Sequence, residues 1–244
     1  MFRFCLVLLS VAAAMVVRSA SADTFQIVDI KSDAMYVPVG FDDNDEALVV
    51  LDGYLPDPCY RLTKPYVNLD TMSHKIVVTA RARKFEGLCP DVRVPFTQEV
   101  SLGRLSRGEF TVETRDERLT ERLTVKPGRN PGPDDYLYAP VEFAHVTYPG
   151  GFRWTAVLEG RFTNSCMSIQ ETKVVLTGKT IQVLPIMKML SEEECGHTCR
   201  REERSFKTEV ELPMLESEGR YLLHVRSLNG ASVNEVFYRT PHNP

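Results

Sequence analysis

Phe96, Gln98, Val100 and Leu102 alternate with Thr97, Glu99 and Ser101. That is the two-residue period of a strand with one face buried and the other wet. Phe206, Thr208, Val210 and Leu212 repeat the pattern, and Phe110–Val112 and Tyr221–Leu223–Val225 alternate likewise. Ala47–Leu51, Lys75–Ala80 and Val174–Leu176 are apolar or β-branched runs bounded by Gly, Pro or Asp. Asn229–Gly230 predicts a tight hairpin turn, because both residue types tolerate positive φ. Helical periodicity is confined to one stretch, Pro185–Glu194, which predicts a short helix. About seven short strands per hundred residues predict an all-β protein of immunoglobulin-like sandwiches. The tryptophan of antibody domains has no counterpart in its usual strand; Trp154 lies ahead of it.

The pattern occurs twice. Tyr36–Val37–Pro38–Val39–Gly40–Phe41 is answered by Tyr138–Ala139–Pro140–Val141–Glu142–Phe143, an offset of 102. Leu51–Asp52–Gly53 and Cys59 are answered by Leu158–Glu159–Gly160 and Cys166 at an offset of 107. Lys75–Val78 is echoed by Lys179–Val183, Phe96–Leu105 by Phe206–Leu215, and Gly108–Glu109–Phe110 by Gly219–Arg220–Tyr221. Collinear agreement of this kind marks an internal repeat. Between the copies, Lys126–Asp135 carries three prolines and two glycines, residues that weaken or break a ladder. The predicted organisation is a first sandwich domain over 23–125, a semi-rigid linker over 126–136 and a second domain over 137–244.

The N-terminus reads as an address. Arg3 precedes an apolar run from Phe4 to Val17, and Ala20–Ser21–Ala22 offers small residues for signal-peptidase cleavage before Asp23. The run is shorter than the roughly 20 residues of a spanning helix. Residues 1–22 are therefore expected to be removed, giving an exported chain without a transmembrane segment, periplasmic or extracellular. Losing Arg3 and Arg18 takes the formal charge from −4 to −6, which gives no attraction to nucleic acid. Losing Cys5 leaves an odd set of five cysteines: Cys59, Cys89, Cys166, Cys195 and Cys199. Export makes disulfides their default use.

Gly53–Tyr60 with its Pro-Asp-Pro-Cys run, Cys89–Pro90, Pro95–Phe96, Val100–Leu105 and Gly108–Phe110 together resemble a β-sandwich domain of bacterial secreted proteins. The resemblance covers both halves, although the second carries an extra cysteine and a longer loop before Phe206. It implies the fold, the export route and a bridge between the two cysteines of a domain, here Cys59 and Cys89. It carries no catalytic residues. In the second copy two partners compete for Cys166. Cys199 has the same seven-residue spacing to Phe206 that Cys89 has to Phe96, whereas Cys195 gives a span closer to that of the first copy. Downstream register favours Cys199 and leaves Cys195 as the odd thiol.

Candidate chemistry is sparse. Cys195–Gly196–His197–Thr198–Cys199 is one residue too long for a Cys-Gly-His-Cys redox motif, and the acids Glu192–Glu194 before it have the wrong charge to favour a thiolate. Met187, Met189, Cys195 and His197 are ligand types suited to copper(I). Asp42–Glu46 is acidic but lacks EF-hand spacing and reads as a charged turn. His224, between Leu223 and Val225, reads as an ordinary strand residue on their opposite face. No nucleophile elbow, zinc-binding helix motif or phosphate loop is present. The leading expectation is a non-enzymatic exported protein that engages an envelope or extracellular protein. A copper(I)-handling protein is the alternative. A two-domain periplasmic chaperone is a further one, which would need basic residues in the cleft between its domains.

Overall fold

The computed structural model describes residues 24–129, 134–148, 153–196 and 198–240. The expected leader, 1–22, lies outside them. The described residues are all-β, with one short helix among them, α1 (Glu192–Cys195), and one 3-10 turn. In the first half, β2 (Ser32–Tyr36), β3 (Ala47–Leu55) and β6 (Val94–Gly103) form one sheet in the order β2-β3-β6. The other sheet contains β1 (Phe25–Ile30), β4 (Tyr60–Asp70), β5 (Lys75–Phe85), β7 (Gly108–Thr114) and β8 (Thr120–Val125). One edge of β5 carries β4. The opposite edge is shared, by β7 along residues 75–78 and by β1 along 80–85.

The second half repeats these pairings. β9 (Val141–Thr147), β10 (Thr155–Phe162) and β13 (Arg204–Glu211) form one sheet. β11 (Met167–Thr177), β12 (Thr180–Met189), β14 (Gly219–Arg226) and β15 (Ser232–Arg239) form the other. A second β1 is reduced to a bridge between Tyr138 and Ile186. Each half has its own apolar core, one around Val49, Leu51, Ile76, Val78 and Val112, the other around Leu158, Ile181, Val183, Leu223 and Val225.

Gly53 and Gly160 show why the repeated Leu-Asp/Glu-Gly motif exists. Gly53 lies opposite Phe96, and a Cβ there would meet the ring at 3.1 Å and the Lys31 carbonyl at 3.2 Å. Gly160 lies opposite Phe206, and a Cβ there would overlap that ring and the Pro140 carbonyl. The absent side chain makes room for the aromatic ring opposite it.

Two expectations need correcting, and the sheets add a feature that the alternation does not predict: β5 pairs with β7 in parallel and β12 with β14 in parallel. The intervening strand crosses to the other sheet, so the chain returns in its original direction. Pro185–Glu194 is not a helix: β12 runs on through Met189, and α1 starts at Glu192 behind a Ser191–Glu194 capping box. Pro185 is accepted because its backbone faces Leu137–Ala139 rather than β11: its carbonyl accepts from the Ala139 amide, and pairing on that edge is reduced to a bridge that does not need its missing amide. Finally, the Tyr36 and Tyr138 blocks do not correspond. Ser32 opposes Gly53 and Val141 opposes Gly160, so Tyr36 ends its strand whereas Tyr138 precedes one.

The linker segment is partly anchored. Lys126 bonds through its backbone to Phe41 and Asp43, and the Gly128 amide donates to Asp43 Oδ1 at 2.7 Å. Asn130–Pro133 lie outside the described residues.

Candidate functional site: the seam between the halves

β3 is buried along almost its whole length, and so is β14 from Tyr221 onward. A strand with a single dry face cannot do this. The second dry face of each arises because the β2-β3-β6 sheet meets the β12-β14-β15 sheet of the other half. Tyr221, Leu223 and Val225 point into the second core, while Leu222 points the other way and joins the first. Val236, opposite Leu222 on β15, packs against that first core too.

Polar pairs flank this apolar centre. Arg220 Nη1 donates to Asp52 Oδ2 at 2.5 Å, and its guanidinium lies 4.5 Å from the Tyr54 ring centroid. Arg226 Nη2 donates to Asp45 Oδ1 at 2.8 Å and to Asp134 Oδ1 at 3.0 Å. Asp134 also accepts from the Gly230 amide in the hairpin turn, where Asn229 and Gly230 both have positive φ. Burial pushes the carboxyls of Asp45 and Asp52 up, against the pull of their arginine partners. Burial likewise pushes up the Tyr138 hydroxyl, to about 12, against the Arg226 charge.

Between these pairs lies His224, fully buried. Its Nδ1 is 2.7 Å from Asn234 Oδ1, and Asn234 Nδ2 donates to Glu99 Oε2 at 2.7 Å. An amide oxygen accepts only, so the proton sits on Nδ1. Nε2 is left buried without a partner. Burial drives the imidazole pKa down to about 4, with the Arg226 charge acting in the same direction and the Asn234 bond opposing. The ring is therefore neutral at ordinary pH. Burial raises the Glu99 carboxyl, with the Asn234 bond opposing.

Two adjoining grooves open along the seam. One, of about 710 Å³, is bordered by Tyr36, Glu121, Lys179, Arg220 and Tyr238. The other, of about 530 Å³, is bordered by Lys126, Tyr136, Val175 and Gln182. Both include Val39 and Arg122, which makes them continuous. Arg122 and Lys126 are exposed and form no salt bridge among the described residues. The Tyr36 hydroxyl is buried there without a hydrogen-bond partner, and burial raises its pKa.

The cysteines lie elsewhere. Cys59 is bonded to Cys89 with Cα atoms 5.9 Å apart, and Cys166 to Cys199 at 5.4 Å. Each bridge ties the turn entering β4 or β11 to the loop entering β6 or β13. Cys195 belongs to neither; its Sγ is 3.7 Å from the Ser165 carbonyl oxygen. Asp57 lies beside Cys59 and Cys89, but those sulfurs are consumed in their bond.

The copper(I) set gains no support. Met187 is buried in the second core and Met189 is half-exposed at the end of β12. His197 lies outside the described residues. The acidic turn is no calcium loop either. Asp42 Oδ1 accepts the amides of Asn44 and Asp45, and Asp45 holds Arg226.

Sequence reading missed the seam residues Asp52, Glu99, Arg220 and Arg226, took Asp45 for part of a charged turn, and treated His224 as ordinary. Local signals existed. Asp52 interrupts a run that is apolar in both phases, and Tyr221–Leu222–Leu223 breaks the alternation expected of a half-wet strand.

Residues 49–125, from β3 to the end of β8, match the ORF11 beta-sandwich domain family. Neither the curated proteins nor the solved structures contain a match. The match joins the all-β architecture in identifying this part of the chain as similar to a β-sandwich domain.

Proposed function

We propose that this chain is an exported, non-catalytic binding protein made of two disulfide-stapled β-sandwich modules, and that it holds an envelope or extracellular protein in the groove along their seam. The observation that carries the reading is a groove to which both halves contribute, with the exposed cations Arg122 and Lys126 on its rim. The buried pairs Arg220–Asp52 and Arg226–Asp45 beneath it join the halves, which suits a scaffold. Two disulfides and the apolar leader support export.

A photo-crosslinking residue at Val39, inside the groove, should capture an envelope protein that the same residue at exposed Leu88 does not. The double variant Arg122→Glu/Lys126→Glu should lose that capture while keeping its unfolding temperature. Equal capture from both positions, or capture indifferent to the charge reversal, defeats the proposal. The cations Arg122 and Lys126 also favour a second reading, the periplasmic chaperone. That reading requires a peptide with a free C-terminal carboxylate to bind at least tenfold more tightly than its amide.

A further inference from the structure

In the five-stranded sheet of the first half, Ile76, Val78, Ala80 and Ala82 of β5 enter the core, so Arg81, Arg83 and Phe85 point the other way. Across the ladders Phe25 lies opposite Phe85, Ile27 opposite Arg83, and Arg83 opposite Arg61. These rows form one end of an outer sheet face, on the far side of the first core from the seam. Phe25 and Ile27 leave 41% and 50% of their surface in water. The Arg83 guanidinium lies 4.9 Å from the Phe25 ring centroid, and that of Arg61 lies 5.3 Å from the Phe85 centroid. A guanidinium laid on a ring covers one of its own faces and leaves the N–H donors along its edge available.

Arg61 and Arg83 form no salt bridge among the described residues, whereas Arg81 and Arg115 share Asp29. Segments 24–31, 57–66, 79–86 and 114–118 build this end of the sheet and its turns. They hold eight lysines and arginines against five carboxylates. The surplus stands in a chain whose formal charge is −4 overall. Exposed charges more than about 8 Å apart are largely screened at physiological salt, so the local surplus decides what this face attracts.

The second half carries no such face. Matched through the sheet registers, Arg81, Arg83 and Arg61 become Ile186, Lys188 and Ser168. Lys188 is bound to Glu194, and the strand that bears Phe25 and Ile27 is reduced to the Tyr138–Ile186 bridge. The unpaired arginines and the apolar edge are therefore not requirements of the fold.

We propose that this face docks on an anionic lipid bilayer, with Arg61 and Arg83 on lipid phosphates and Phe25 and Ile27 at the headgroup boundary. The guanidinium fork suits phosphate because it donates twice. Two observations favour a bilayer over a soluble polyanion. Exposed apolar side chains stand among the cations, the combination that settles at an acidic membrane surface. β1 also begins at Phe25, just after the expected end of the apolar leader at Ala22, so this edge lies where the chain would leave a membrane during export. None of these four residues borders the seam groove, and the inference does not depend on it.

The test is sedimentation of the full mature chain with vesicles of phosphatidylcholine containing about 30 mol % phosphatidylglycerol, and with vesicles of phosphatidylcholine alone. Only the acidic vesicles should carry the chain down, and raising the salt from about 0.1 M to about 0.5 M should release most of it. Each arginine at such a surface is worth about fivefold in partition, so Arg61→Glu/Arg83→Glu should weaken it at least about tenfold without lowering the unfolding temperature. Arg61→Gln/Arg83→Gln provides a second variant should the first fail to fold. Phe25→Ser/Ile27→Ser should weaken vesicle binding while leaving any binding to heparin, a soluble polyanion, unchanged. No sedimentation with acidic vesicles overturns the proposal, as does undiminished binding in the arginine or the apolar variants. An equal loss on reversing the exposed Arg200 and Arg201 instead would mean attraction without a site, and overturns it too. Heparin binding through Arg61 and Arg83 without vesicle binding would mean a soluble-polyanion site, and overturns it as well.

Discussion

β7 and β14 occupy the same slot in matching sheets, yet one faces water and the other faces a second sandwich. On its outward face β7 carries Glu109, Thr111 and Glu113, followed by Arg115; the same positions from β14 are Arg220, Leu222, His224 and Arg226. Next to them, Arg122 of β8 lies opposite Thr111, and Val236 of β15 lies opposite Leu222. The inward residues hardly differ: Phe110 and Val112 against Tyr221 and Leu223. The pairing of strands is therefore indifferent to which outer face is presented. Two apolar substitutions and a few buried charges convert a solvated face into an interface.

The largest test of that contrast is Arg226→Met. It should destabilise by about 3–5 kcal/mol in urea unfolding, because Asp45 and Asp134 are left buried without their cation. Adding Asp45→Asn should recover part of the loss. A cost near zero would mean that the seam is not holding the halves together. Next, Leu222→Thr gives β14 the residue of β7 and should cost about 2–4 kcal/mol, from lost packing and a buried hydroxyl.

His224 sharpens the comparison through pH. Its folded pKa is depressed from 6.5 to about 4. Its contribution to stability is thus full above pH 6.5 and is lost as pH falls through 4, by about 3 kcal/mol at the limit. The raised carboxyls of Asp45, Asp52 and Glu99 act in the opposite sense, their contribution being present in acid and lost as pH rises. Comparing the wild-type chain with His224→Gln separates the two. The variant should lose less stability than the wild type between pH 6.5 and 4, and parallel curves would show that the imidazole is not buried neutral. The smallest effect belongs to Thr111→Leu, which puts the residue of β14 on the exposed strand. It should change stability by no more than about 0.5 kcal/mol. A larger gain would show that the β7 face also has a partner within the chain.

The strands themselves were largely legible. The alternation at Phe96–Leu102 and Phe206–Leu212 specifies which residues enter each core, and Asn229–Gly230 specifies its turn. What a single chain could not display is which sheet lies against which. Arg226 and Asp45 are far apart in sequence, and each reads locally as an ordinary surface charge. The mismatch of the Tyr36 and Tyr138 blocks has a related cause. Tyrosine, proline and valine suit strand ends of many kinds, whereas Gly53 and Gly160 are held in register by the aromatic rings opposite them. Pro185 misled for a local reason, since its missing amide faces the edge of β12 where pairing is reduced to the Tyr138–Ile186 bridge.

The tether between the halves adds a kinetic consequence. About 13 residues separate Val125 from Tyr138, enough to reach ~45 Å when extended. The seam is thus an intramolecular contact whose partner is always present at high effective concentration. Variants that weaken it will leave both cores folded and the interface open for part of the time. In a concentrated solution the open half of one molecule will then close on the complementary half of another. The first symptom of a weakened seam is therefore exchange into dimers, ahead of any unfolding.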